Sequence, residues 1–157
     1  MQLVYDYKLQ DINNQPFDLS AFKGKKILLV NTASACGLTP QYAQLQELHE
    51  NYKDKVAVVG LPCNDFGAQE PGTENEIKTF CETNFNVTFP LTQKVKIKGD
   101  DISPIYEFLT KKELNGLEDS EVIWNFQKYL IDENGELEAV FHPKTEVLSE
   151  DFLKHLS

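Results

Sequence analysis

The sequence predicts an α/β fold built around a central mixed sheet, on three observations. Two short apolar runs, Lys26 to Asn31 and Lys55 to Leu61, have the unbroken hydrophobicity of strands buried on both faces. A stretch with helical apolar spacing separates them, so they form a β-α-β unit with parallel strands and a right-handed crossover. Late in the chain, Lys128 to Ile131 and Leu137 to Phe141 flank Asn134-Gly135, a strong signal for an antiparallel hairpin. At 157 residues the chain suits a single domain spanning 1–157. A chain of that size can bury roughly 70% of its unfolded surface.

Each element has its own local reason. Val4 to Leu9, then Asn13-Asn14 and Pro16-Phe17-Asp18, read as a short N-terminal hairpin, with the paired Asn supplying left-handed turn conformations. After the first buried strand, Thr39 as N-cap and Pro40 at the first helical position open a helix through Tyr42, Leu45, Leu48 and Tyr52. The second strand is followed by a loop from Pro62 to Gly72. Thr73-Glu74-Asn75-Glu76 then forms a capping box for a helix carrying Ile77, Phe80 and Cys81. Glu82 to Thr88 holds poor helix formers, which predicts fraying at that helix's C-terminal end. Ser103-Pro104 starts another helix, with Ile105, Phe108 and Leu109 inward, and Ser149 caps a last one through Phe152, Leu153 and Leu156. The order β-α-β, helix, β-β-α is that of the thioredoxin fold, with an N-terminal hairpin and one inserted helix.

Charge and cysteine usage narrow the function classes. Fifteen Lys and Arg against 25 Asp and Glu give a net charge of −10, which disfavours nucleic acid and anionic membrane surfaces as partners. No basic, apolar leader follows Met1 and no run is long enough to span a membrane, so the expected location is cytoplasmic. Cys36, Cys63 and Cys81 form no C-x-x-C pair and are too few and odd in number for a disulfide framework. Reactive or buried thiols are expected instead.

The sharpest local feature is Asn31-Thr32-Ala33-Ser34-Ala35-Cys36-Gly37-Leu38-Thr39, between the end of a buried strand and the start of a helix. Ligands bind at that edge of open α/β sheets, and a thiolate near a helix N-terminus is stabilised by unpaired N–H groups and the helix dipole. Cys36 is therefore a candidate nucleophile. Three residues on stands Thr39, not a second Cys, which excludes simple dithiol exchange.

This segment resembles the nucleophile motif of the glutathione peroxidase family in its cysteine form. Leu61-Pro62-Cys63-Asn64-Asp65-Phe66-Gly67-Ala68-Gln69-Glu70-Pro71-Gly72 resembles the family's second motif, Trp124-Asn125-Phe126 its third, and Phe89-Pro90 also fits. Thr32, Leu61 and Asp65 depart from the usual Val, Phe and Gln, and Asp65 adds a negative charge. The resemblance implies a catalytic tetrad of Cys36, Gln69, Trp124 and Asn125, in which the amides and the indole N–H stabilise the sulfur anion and hold a hydroperoxide in line. It further implies that Cys81 resolves the Cys36 sulfenic acid through a disulfide recycled by thioredoxin, with no cofactor. A helix would hold the two sulfurs too far apart, since a disulfide needs Cα atoms within about 7 Å. Local unwinding of weak sequence is expected to close the gap. Cys63, directly after a strand, reads as inert packing.

Three other readings compete. A metal site from the three Cys and from His49, His142 and His155 lacks any paired-ligand spacing. A sensor that relays oxidation from Cys36 to a partner protein would use the same residues. A glutathione-consuming peroxidase is disfavoured by Cys81 and by the few basic residues expected around the motifs. Only Thr110 to Ile123 separates the third helix from Trp124, so the longer insertion through which tetrameric members of the resembled family assemble is missing, and the resemblance implies a monomer with a shallow site open to hydrogen peroxide and to organic or lipid hydroperoxides.

Overall fold

The first apolar run becomes β3 (Lys26–Thr32) and the second β4 (Val56–Pro62), and they pair in parallel from Lys26 opposite Val56 to Thr32 opposite Pro62 in the computed structural model, which describes residues 2–157. The Asn-Gly hairpin gives β5 (Lys128–Ile131) and β6 (Leu137–Phe141). β5 runs antiparallel to β3, with Lys128 opposite Val30, so the sheet order is β4-β3-β5-β6 and β3 lies inside it. This antiparallel register sets the entry to β5 beside the exit of β3. Two segments distant in sequence thus share one edge.

Alternation along β3 divides the core. Leu28 and Val30 face α1 (Gln41–Asn51), α2 (Glu74–Phe85) and α5 (Glu150–Leu153), through Tyr42, Leu45, Ile77, Cys81 and Phe152. Ile27 and Leu29 face the opposite side, with Ile105, Tyr106, Phe108 and Leu109 of α3 (Pro104–Thr110). Period-2 strands between helices on both faces produce this three-layer arrangement. The capping box of α2 forms as expected, Thr73 Oγ1 accepting from Glu76 N–H at 3.2 Å and Glu76 Oε1 from Thr73 N–H at 3.1 Å.

Four local expectations need correction. The N-terminal hairpin shrinks to β1 (Leu9–Gln10) against β2 (Pro16–Phe17), because the Asp6 carboxylate accepts the Leu3 N–H and curls Val4–Asp6 into a 3₁₀ turn. Thr39 does not cap α1. Its hydroxyl turns back to donate to the Ala33 carbonyl, and Pro40 holds the capping position in helical conformation without a side-chain bond. Nor does α2 fray: Asn86 takes a left-handed conformation at φ 52°, and the N–H groups of Asn86 and Val87 close on the Glu82 and Cys81 carbonyls. Ser149 stands at the start of α5, but its hydroxyl donates backwards to the Glu146 carbonyl. One short helix, α4 (Lys112–Asn115), was not expected; it ends at Gly116, left-handed at φ 77°.

Candidate active site

The carboxyl edge of β3 gathers three loops. The first leaves β3 and closes into a compact turn before α1. Thr39 Oγ1 donates to the Ala33 carbonyl at 2.8 Å and accepts the Cys36 N–H at 3.0 Å, while Cys36 Sγ accepts the Leu38 N–H at 3.3 Å. The thiol therefore sits on a turn that leads into a helix, with a backbone donor already aimed at sulfur. A donor so placed can hydrogen-bond the sulfur as charge shifts during reaction. Cys36 keeps 9% of its surface exposed, against none for Cys63 and Cys81.

The second loop follows β4 and carries Gln69 and Glu70. Its Gln69 carbonyl accepts the Ala35 N–H at 3.0 Å, which ties it to the Cys36 turn. Gly67 has φ 69°, and a Cβ there would come within 2.9 Å of the Trp124 ring, so only glycine allows the loop to lie so close. The third loop, Trp124 to Gln127, leads into β5. Trp124 packs edge-on against Phe66 at 6.0 Å between ring centroids. Asn125 is fully buried, and its amide nitrogen donates to Gln69 Oε1 at 3.0 Å and to the Phe66 carbonyl at 3.3 Å. Both amide hydrogens of Asn125 are thereby engaged. Gln69, with its oxygen occupied, keeps its own amide hydrogens available.

Asn31 is the residue that sequence reasoning passed over. It is buried at the end of β3, and its amide donates to the Trp124 carbonyl at 3.1 Å while its Oδ1 accepts the Gln127 N–H at 3.1 Å. Its carbonyl accepts the Phe126 N–H at 2.6 Å, and between these clamps Phe126 is held at φ 67°. A bulky residue enters that region only when its surroundings impose it. A fully buried Asn closing an apolar strand was the available signal.

The other thiols differ sharply. Burial pushes Cys63 up to about 12 and Cys81 up to about 11, so both are neutral thiols near pH 7. Cys81 also borders an open groove of about 510 Å³ between α2, the β1-β2 hairpin and Phe89 to Leu91. The negative charge at Asp65 is absorbed locally: its carboxylate pairs with Lys96 at 2.8 Å and accepts the Ile97 N–H at 2.6 Å. Contrary to the expectation of few basic groups near the motifs, the segment after Pro90 brings Lys94, Lys96 and Lys98 against this loop, with Lys98 Nζ 4.5 Å from the Phe66 ring centre.

A thiol that accepts a backbone N–H in the turn leading into a helix, on the carboxyl edge of a thioredoxin-fold sheet, defines the class: a thiol oxidoreductase. Comparison with known proteins sharpens this. The family model described as glutathione peroxidase matches residues 4–110. The glutathione peroxidase-like peroxiredoxin gpx1 of Schizosaccharomyces pombe is 45% identical over 139 residues, 87% of each chain, and a glutathione peroxidase of Lactococcus lactis 44% over 143 residues, 90% of each. The crystal structure of T. cruzi GPX1 superposes with a TM-score of 0.76 at 32% identity, covering 99% of this chain and 94% of that one. The chain belongs to the glutathione peroxidase family, and it is a peroxidase, an oxidoreductase that reduces peroxide.

Proposed function

We propose that this protein reduces hydrogen peroxide and organic or lipid hydroperoxides through Cys36, and that a Cys36–Cys81 disulfide is then reduced by thioredoxin. The single observation that carries the reading is the bonding of Cys36: its sulfur already accepts a backbone N–H, while its turn is tied to the Gln69 loop. The thiolate attacks one peroxide oxygen and the other leaves as an alcohol or water, giving a Cys36 sulfenic acid. In this reading Gln69 directs its free amide hydrogens at the reacting sulfur and oxygen, and Asn125 acts through Gln69 by fixing its orientation. Trp124 walls the site and offers its indole N–H. Asn31 holds the Trp124 loop in place.

Cys81 then attacks the sulfenic sulfur with release of water. It lies in the same apolar cluster as Cys36, on a helix with an open groove behind it into which α2 can give way. Relatives that bear the name peroxiredoxin support a thiol reductant. No helix among the described residues is long and apolar enough to cross a membrane. A cytoplasmic monomer completes the proposal. Steady-state turnover with thioredoxin and its reductase, set beside turnover with glutathione, tests it. The proposal expects efficient recycling by thioredoxin and at most slow recycling by glutathione; the reverse order overturns it.

A further inference from the structure

Trp124 and Asn125 sit on a loop that apolar packing holds only in part. Of the three residues ahead of Trp124, Val122 is buried, but Glu121 and Ile123 are exposed, Ile123 at 53%. Just beyond Asn125, Phe126 keeps φ 67°, a left-handed conformation that a bulky residue adopts only under constraint. Asn31 grips this far side of the loop, at the Trp124 carbonyl and at the Phe126 and Gln127 N–H groups. The near side needs a partner of its own, and the Gln127 side chain supplies it.

Gln127 is 3% exposed. Its Oε1 accepts the Ile123 N–H at 2.9 Å, and its Nε2 donates to the Glu121 carbonyl and to Tyr129 Oη, each at 3.0 Å. A primary amide carries two hydrogens, so neither is left over. Because Tyr129 Oη accepts from Gln127, its own hydrogen is free for Ser120 Oγ at 2.8 Å. The Ser120 N–H in turn donates to the carbonyl of Thr110, the last residue of α3, at 2.9 Å. A continuous run of hydrogen bonds therefore joins the end of α3 to the residue before Trp124. A buried amide is costly when unpaired, which favours the one loop arrangement that pairs all of this one.

We propose that Gln127 is a positioning residue for the peroxide step, setting the place of the Trp124 indole and, through the same loop, of the Asn125 amide on Gln69. The inference rests on the reading of Trp124 and Asn125 as site residues. Gln127 acts through its neighbours: its side chain bonds to Ile123, Glu121 and Tyr129, not to Cys36. With the Ile123 N–H held by Gln127 and the Trp124 carbonyl held by Asn31, the Trp124 backbone is fixed on both sides. From that position the indole meets Phe66 edge-on at 6.0 Å, and the Asn125 amide reaches Gln69 Oε1 at 3.0 Å. Small displacements of groups aimed at a reacting centre are expensive in rate.

Trp124 is the single tryptophan of the chain, so its emission reports on the loop directly. The second-order rate of reduced protein with hydrogen peroxide is measured by stopped flow, beside the emission spectrum of the reduced protein, well below the unfolding temperature of each variant. Gln127→Leu removes every one of these side-chain bonds and should slow the peroxide step about tenfold, with emission shifted to the red as water reaches the indole. Gln127→Glu keeps the acceptor for the Ile123 N–H and should recover part of both, to a rate about threefold below wild type. A Gln127→Leu rate or emission equal to wild type overturns the proposal, since a purely structural residue lowers the unfolding temperature and leaves the folded site as it was. Should Gln127→Leu fail to fold, Gln127→Glu decides: a slower rate with shifted emission supports the proposal, and a wild-type value of either overturns it. Trp124→Phe and Asn125→Ala are measured alongside. If both react at the wild-type rate, the reading of those residues fails and the inference falls with it. If both are slowed and Gln127→Leu is not, only the inference fails.

Discussion

Cys36 and Cys63 leave neighbouring parallel strands at the same edge of the sheet, and each sulfur accepts the N–H of the residue two places on, at 3.3 Å from Leu38 and 3.4 Å from Asp65. The local hydrogen bond is nearly the same, yet the two thiols meet different chemistry. Cys63 follows β4 without a break, its own N–H still bonded to the Thr32 carbonyl, and its side chain points into the core with Phe66 and Tyr106. Burial and the nearby Asp65 charge hold it protonated. Cys36 stands past the strand, on a turn whose next element is a helix and whose neighbour is an amide-bearing loop. The same local donor thus serves a thiol sealed in the core and a thiol set on a loop edge that keeps 9% of its surface exposed.

The largest effect that sharpens this contrast is at Cys36 itself. Cys36→Ser should lower peroxide reduction by about 10³-fold or more, because a serine hydroxyl is hardly ionised near pH 7, while the fold survives. Stopped-flow peroxide consumption measures it, and retention of substantial activity would break the contrast at its centre. Next in size, Cys81→Ser should consume one equivalent of peroxide and then stop turning over with thioredoxin, which a coupled assay reads directly. Continued turnover would show that another thiol resolves. Gln69→Ala should cost about 1–3 kcal/mol in the second-order rate with peroxide through loss of a hydrogen bond to a charged group. Asn125→Ala should cost less, since its amide acts on Gln69 rather than on sulfur. An unchanged rate in both variants would reduce them to turn residues.

The smallest expected effect tests the burial half of the contrast in a group of opposite charge. Lys128 is fully buried on β5, donating to Gln41 Oε1 and to the Pro143 carbonyl at 2.6 Å each, and desolvation pushes it down to about 7. Its unfolded value is near 10.5. Between those pH values the unfolded chain binds more protons, so stability should rise with pH through that window as the cost of the buried charge disappears. Thermal unfolding of wild type against Lys128→Met, from about pH 6 to 10, should show the wild type gaining on the order of 1–3 kcal/mol relative to the variant, a figure reduced for the two acceptors that satisfy the ammonium. Parallel pH profiles would show that Lys128 stays charged in the fold.

The elements whose residues speak for themselves were legible in the chain. Continuous Val, Ile and Leu runs can only be buried strands here, the Thr73 and Glu76 pair is a reciprocal cap, and Asn134-Gly135 is a hairpin. Cys36, Gln69, Trp124 and Asn125 were read from motifs. What escaped reading depended on partners far away in sequence. Thr39 looks like an N-cap until Ala33 and Cys36 offer its hydroxyl a closer role. Glu82 to Thr88 looks weak until Asn86 turns left-handed and ends the helix cleanly. Asn31 shows its importance only beside Trp124 and Gln127, more than 90 positions away. Glu70 reads as a loop acid until the fold buries it almost completely.

The most direct test of the account is peptide mapping of the reduced protein after one equivalent of hydrogen peroxide, with free thiols alkylated before digestion. The account predicts a Cys36–Cys81 disulfide and an alkylated, unoxidised Cys63. A Cys36–Cys63 bond, or oxidation of Cys63 with Cys36 left free, would contradict it.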